Sequence, residues 1–244
     1  ITQQEFSRRR KQLMRMMGKG SIAIIPTAAE QIRNRDAEYP YRPDSDYYYL
    51  TGLHEPEAIA VLIPRRPHGE YLLFCRERDP EMETWTGRRI GTAGAGEEFN
   101  AEDAFSISVF DEILPGLMES CERVFYSMGS RPEFDQQVMG WVNSLREGAR
   151  TGMRTPDKFV SLEHLLHDMR LYKSRSELRV MRTAAKVACQ AHRRAMQACR
   201  PGMYEYEIEA ELLHEFRRAG MVPAYSSIVG GGANGCVLHY VSNN

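Results

Sequence analysis

Ser21-Ile22-Ala23-Ile24-Ile25-Pro26 is a short, nearly continuous apolar run closed by a proline, set after two glycines, Gly18 and Gly20. A run this short, without polar alternation, reads as a strand covered on both faces. That places it inside a sheet with helices on either side, and the neighbouring sequence supports such an arrangement. Residues 5–17 carry Phe6, Leu13, Met14 and Met17 at helical spacing, so they read as an amphipathic helix whose bases Arg8-Arg9-Arg10-Lys11 cover a solvated face. Downstream, Tyr47–Leu53, Ala58–Ile63, Tyr71–Cys75 and Arg123–Met128 are rich in aromatic and branched residues and read as further strands. Pro64 and Pro67-His68-Gly69 predict a hairpin turn between two of them. Glu133–Glu147 and Leu162–Leu171 read as helices. The first part is therefore expected to be an α/β domain with a mixed sheet and flanking helices, spanning residues 1–173.

Beyond Lys173 the pattern changes. Ser174-Arg175-Ser176-Glu177 is a capping box opening a long helix to about Cys199, with Leu178, Met181, Ala185, Val187, Ala188, Ala191 and Met196 on its apolar side. Pro201-Gly202 breaks it, and Glu205–Ala219 reads as a second helix capped by Gly220. Two short apolar runs then flank Gly230-Gly231-Gly232-Ala233-Asn234-Gly235 and predict two strands about a tight turn. Helix, helix, hairpin is the beginning of an α+β domain, assigned to 174–244.

Composition excludes several classes. The 244 residues are 42% hydrophobic and 27% charged, with 32 basic residues against 33 acidic and a net charge of −1, so nucleic acid is not an expected partner. No run has the length of a membrane span. Five cysteines without a Cys-x-x-Cys spacing predict reduced, mostly buried thiols in a cytosolic protein. The chain starts with Ile1 and not Met, so the expectation is that it begins inside a longer encoded sequence.

Most candidate motifs have ordinary readings. The glycine run matches G-x-G-x-x-G, but strand-like Cys236–Val241 follows it where a dinucleotide site needs a helix. His164 and His167 share a helix face with Asp168, yet Leu165-Leu166 replaces the Glu of a zincin motif, so they read as structural. Ser226, Ser227 and Ser242 have no nucleophile elbow. The acidic pairs Asp36/Glu38, Asp44/Asp46 and Glu55/Glu57 read as surface turns, and Glu205, Glu207, Glu209, Glu211 and Glu215 as the solvated face of one helix. His239 stands apart: beside a glycine turn, an imidazole can donate a hydrogen bond to a carbonyl or move a proton near neutral pH. Composition alone would make it a core histidine.

Seven segments together resemble one family. They are Asp36-Ala-Glu-Tyr-Pro-Tyr-Arg42, Asp46-Tyr-Tyr-Tyr-Leu-Thr-Gly52, Glu55-Pro-Glu57, Trp85-Thr-Gly-Arg-Arg89, His167-Asp-Met-Arg-Leu-Tyr-Lys-Ser174, Arg200-Pro-Gly-Met203, and Ile228-Val-Gly through Asn234-Gly-Cys-Val-Leu-His-Tyr240. The chain is similar to the first half of the bacterial Xaa-Pro aminopeptidases (aminopeptidase P). The resemblance implies a creatinase/prolidase-type N-terminal domain followed by the start of a pita-bread catalytic domain. It implies release of the first residue from peptides with proline second, using two divalent metals, typically manganese, in a cytoplasmic homo-oligomer (dimer or tetramer). By the same resemblance His239 is catalytic, Tyr225 lines the substrate cleft, and Asp36, Trp85 and Arg150 reach toward an active site. In oligomeric members that site belongs to a neighbouring subunit. Gly-Arg-Arg after Trp85 and the glycines of Gly91–Gly96 suggest that Trp85 sits in an exposed loop with a lid role. The family's five metal ligands follow the segment carrying His239 and have no counterpart here, so residues 1–244 alone are expected to bind no metal and cleave nothing. A non-catalytic pita-bread relative that binds peptides or partners is the alternative. Creatine hydrolysis on the same fold suits the Tyr-Pro-Tyr-Arg and Gly-Arg-Arg segments less well.

Overall fold

In the computed structural model, which describes residues 1–119 and 121–244, the chain divides into two compact units, Ile1–Tyr172 and Lys173–Asn244. The first opens with α1 (Gln3–Met17) and β1 (Ser21–Pro26), then the small exposed pair β2 (Ile32–Asn34) and β3 (Ala37–Glu38), α2 (Ser45–Thr51), β4 (Ile59–Leu62) and β5 (Tyr71–Cys75). It continues with α3 (Pro80–Thr86), α4 (Gly91–Phe99), β6 (Asp103–Ser106), α5 (Phe110–Met118), β7 (Arg123–Tyr126), α6 (Pro132–Glu147), β8 (Lys158–Ser161) and α7 (Glu163–Leu171). The main sheet runs β6-β5-β4-β1-β7-β8. Strand β4 is antiparallel to both neighbours and the remaining pairs are parallel, which makes the sheet mixed, as expected.

Strand β1 shows why this half folds as it does. Its side chains alternate, Ala23 and Ile25 toward one core layer and Ile22 and Ile24 toward the other. On the first face lie Leu13 and Met17 of α1, Tyr47 and Leu50 of α2, and Leu166 of α7. The second face is covered by Leu114 of α5 and by Val138 and Trp141 of α6.

Four local expectations are corrected. Residues 47–53 do not form a strand: Asp44 caps α2, accepting from the backbone N–H of Asp46 (2.9 Å) and Tyr47 (3.0 Å), and Gly52 closes the helix at φ 72°. End signals override the β preference of three tyrosines, because Tyr47, Leu50 and Thr51 then share one buried face. The glycines at 91–96 lie in α4, not in a loop, and Gly91, Gly94 and Ala95 are buried, where small residues admit close approach to β5 and β6. Arg9 and Arg10 are not solvated; their relative exposures are 2% and 3%. Arg9 donates to the Tyr49 carbonyl (2.9 Å) and Arg10 to that of Leu50 (2.8 Å), while their guanidinium planes lie over the rings of Tyr49 and Tyr71. A planar, weakly hydrated cation can be buried in this way where a lysine could not. Finally, Cys75 and Cys121 are buried but Cys189, Cys199 and Cys236 are exposed, so most of the thiols are not interior.

Candidate functional site

The second unit consists of α8 (Arg175–Ala198), α9 (Glu205–Arg218) and an extended terminal segment. Helix α8 begins at the expected capping box: Ser174 Oγ accepts from the Glu177 amide (3.3 Å), and Glu177 returns a carboxylate to the Ser174 amide (2.8 Å). Of its predicted apolar side only Val187 and Ala191 are buried, together with Ala195, which that reading did not include.

The two strands expected about the glycine turn are absent. Residues 221–231 and 237–244 are irregular, and Gly232–Cys236 is a single 3-10 turn. A hairpin on its own is marginal, and this unit offers no third strand among its described residues. Side chains hold the segment instead. One Glu205 carboxylate oxygen accepts from the Gly231 amide (2.6 Å) and from Asn234 Nδ2 (3.0 Å). Asn234 Nδ2 also donates to the Tyr240 hydroxyl (3.1 Å), which accepts from the Asn244 amide (3.2 Å). Four residues along α9, Glu209 accepts from Asn243 Nδ2 (2.9 Å), which also donates to the Ser227 carbonyl (3.1 Å). Asn243 Oδ1 accepts from the Val229 amide (3.0 Å). The Gly231 N–H, above all, holds the Glu205 carboxyl below its ordinary range.

The acids of α9 are therefore not a free solvated face. Glu207 completes a second capping box by accepting from the Tyr204 amide (2.7 Å), and Glu211 and Glu215 both accept from Arg194. Glu55 is likewise no simple turn residue: its carboxylate accepts from the Ile90 amide (2.9 Å) ahead of α4, and burial pushes its pKa up.

The proposed site residues sit as follows. His239 and Tyr225 both lie on the terminal segment, exposed, and no hydrogen bond joins them. In the first unit Asp36 is at the exposed β2–β3 turn, Trp85 is on α3, and Arg150 is in the 3-10 turn Gly148–Thr151 after α6. These three occupy separate elements, and no hydrogen bond or ion pair joins any two of them. Trp85 is 82% exposed. Its carrier is a short helix, capped by Asp79 and closed by Gly87, and not the expected loop. His164 Nδ1 donates to the Ser161 carbonyl (2.7 Å), a local structural contact. The residues missed from sequence are Glu205, Glu209, Asn234 and Asn243. Their only advance signal is the i, i+4 spacing of the two carboxylates, which says nothing about a segment more than twenty residues later.

The residues present do not fit a metal pair. Among the described residues no three His, Cys, Asp or Glu side chains gather to hold an ion, and each acid of α9 already accepts from a named donor. Nor, among those residues, is any helix long and apolar enough to cross a membrane.

Comparison with known proteins agrees with this architecture. The family described as "Aminopeptidase P, N-terminal domain" matches residues 6–126, and "Metallopeptidase family M24" matches residues 179–244. The Xaa-Pro aminopeptidase of Escherichia coli K12 is 42% identical over 245 residues, covering 100% of this chain and 56% of that protein. The solved Pseudomonas aeruginosa aminopeptidase PepP is 56% identical with a TM-score of 0.99, covering all of this chain and 55% of its own. The low-pH form of E. coli aminopeptidase P superposes with a TM-score of 0.96 at 42% identity. The chain thus spans about half the length of the curated relatives it matches. Two family matches in the order and positions of the two units, with a shared fold along the whole chain, show that this chain belongs to the aminopeptidase P family, comprising its N-terminal domain and the part of the M24 metallopeptidase domain that follows.

Proposed function

We propose that the protein to which this chain belongs is a metal-dependent aminopeptidase that removes the first residue from peptides carrying proline second. One observation carries the reading: 42% identity with a Xaa-Pro aminopeptidase along the entire chain, across both units. That same continuity disfavours a non-catalytic binding module. In this reading residues 1–173 form the creatinase/prolidase-like domain and 174–244 the first part of the pita-bread domain. His239 is the hydrogen-bond donor and proton carrier beside the scissile carbonyl, a role open to an exposed imidazole near neutral pH. Tyr225 lines the peptide cleft. Asp36, Trp85 and Arg150 form the outer substrate wall, contributed in a homo-oligomer to a neighbouring subunit's site. Their exposure on three separate elements of the first unit suits that placement. The metals, manganese by preference, supply Lewis-acid activation of water and carbonyl when bound. No residue of this chain is assigned to hold them. We place the enzyme in the cytoplasm, in keeping with cysteines that form no disulfide among the described residues.

The test is hydrolysis of Xaa-Pro peptides by the full-length protein, before and after chelation and on return of manganese, cobalt or zinc. Cleavage is expected to vanish on chelation and to return best with manganese, and residues 1–244 alone are expected to cleave nothing. Failure of the full-length protein to cleave any Xaa-Pro peptide with any of these metals would overturn the assignment.

A further inference from the structure

Among the described residues the segment carrying His239 pairs with no strand, and the side-chain bonds described above tie it to α9. Those bonds have a direction. Glu205 grips the glycine turn at two points, Gly231 and Asn234, and Asn234 passes the restraint on to the hydroxyl of Tyr240, the residue next to His239. Beyond His239, Asn243 is tied to Glu209 and back to Ser227 and Val229, near Tyr225 in sequence. His239 is therefore bracketed by two restraints that both end on carboxylates of α9, one helical turn apart. Tight closure of the turn also needs Gly230, where a Cβ would lie 2.9 Å from the Asn234 carbonyl. Backbone amides held by an ionised carboxylate make strong, short bonds, and here the depressed pKa of Glu205 keeps that carboxylate ionised.

We propose that Glu205 is a positioning residue for the catalytic step, acting through Gly231, Asn234 and Tyr240 to hold His239 in register. The proposal rests on the role given to His239 above. A purely structural Glu205 would support folding equally whether or not His239 is present, whereas a positioning one loses its effect once His239 is gone. The experiment is a double-mutant cycle in the full-length protein, with kcat and KM on a Xaa-Pro peptide, joined to amide hydrogen exchange over residues 229–241. Glu205→Ala is expected to lower kcat by about tenfold to a hundredfold, the scale of a small misplacement of a reacting group, with KM changed less than about twofold. Glu205→Gln keeps an acceptor for Gly231 and serves where the alanine variant folds poorly; it is expected to fall between wild type and alanine. In the His239→Ala background neither change should cost anything further, and exchange at Gly231 should quicken in Glu205→Ala. An equal loss in both backgrounds, or unchanged exchange, overturns the positioning role. A His239→Ala protein with wild-type turnover overturns the role of His239 itself, and the present proposal with it.

Discussion

Tyr71 is 2% exposed, lies under the guanidinium of Arg10 at 3.9 Å from its ring centroid, and its buried hydroxyl has no hydrogen-bond partner among the described residues. An unmet buried hydroxyl costs about 1–3 kcal/mol, while the ring and its cation contact survive removal of the oxygen. Tyr71→Phe is therefore expected to leave stability unchanged or to raise it by up to about 1 kcal/mol, read from urea unfolding; a loss above 1 kcal/mol would mean the hydroxyl has a partner. Burial also pushes the Tyr71 phenol up to about 12 from its ordinary value near 10. The unfolded chain then releases this proton at lower pH than the folded one, so stability falls as pH rises from 10 toward 12. Tyr71→Phe should flatten that part of the alkaline decline. His239 is the opposite kind of residue, exposed and adding nothing to either core layer. In the full-length protein His239→Ala should lower turnover about a hundredfold or more. Its melting temperature should hardly move, and parallel losses in kinetics and melting would return His239 to a structural role.

At the scale of elements, α2 shows how a local reading goes wrong and what sets it right. Gly52 ends the helix at φ 72°, and a Cβ there would lie 2.4 Å from the Phe6 ring of α1. Gly52→Ala meets both a left-handed backbone and a steric block, so it should cost about 2–4 kcal/mol in urea unfolding; a change under 0.5 kcal/mol would contradict the contact. Strand β1, the β4–β5 hairpin and the Ser174 capping box were legible because each is decided by residues that touch in sequence. The edge strands β6 and β8 were not. Asp103–Ser106 and Lys158–Ser161 are four-residue strands with no fully buried position, and only their pairing with β5 and β7 makes them strands. The buried arginines of α1 were hidden for a related reason, since the tyrosines that cover them come from α2 and β5. Of the candidate site, Tyr225 could be named only through resemblance, and His239, which stands out beside its glycine turn, takes a catalytic role only in the same way. Glu205 could not be named at all, because its partner is a backbone amide at Gly231.

For the whole molecule, the two units differ in how they are held. The first has a core layer on each face of its sheet, with Ile22, Ile24, Val61, Leu72 and Val124 wholly buried. In the second, the buried apolar residues among those described are Val187, Ala191 and Ala195, while Val180, Met181, Met196, Val222, Tyr225 and Leu238 are exposed, Leu238 by 86%. Burying a valine side chain contributes about 1.5–3 kcal/mol, and the two alanines add less. Ordering each residue costs about 1–2 kcal/mol in backbone entropy alone, so a pair of helices with this little burial is held mainly by capping and by the bonds of α9. In residues 1–244 the second unit should therefore open locally well before the first unfolds. Hydrogen exchange is expected to show α8 and α9 exchanging through fast local opening, with the amides of β1 and β7 the slowest of all. An environment-sensitive apolar dye should bind residues 1–244 and bind the full-length protein far less, as the exposed side chains of this unit become covered. Protection of α8 equal to that of β1 in residues 1–244 would show that the second unit is stable by itself, and that its exposed apolar residues are ordinary surface.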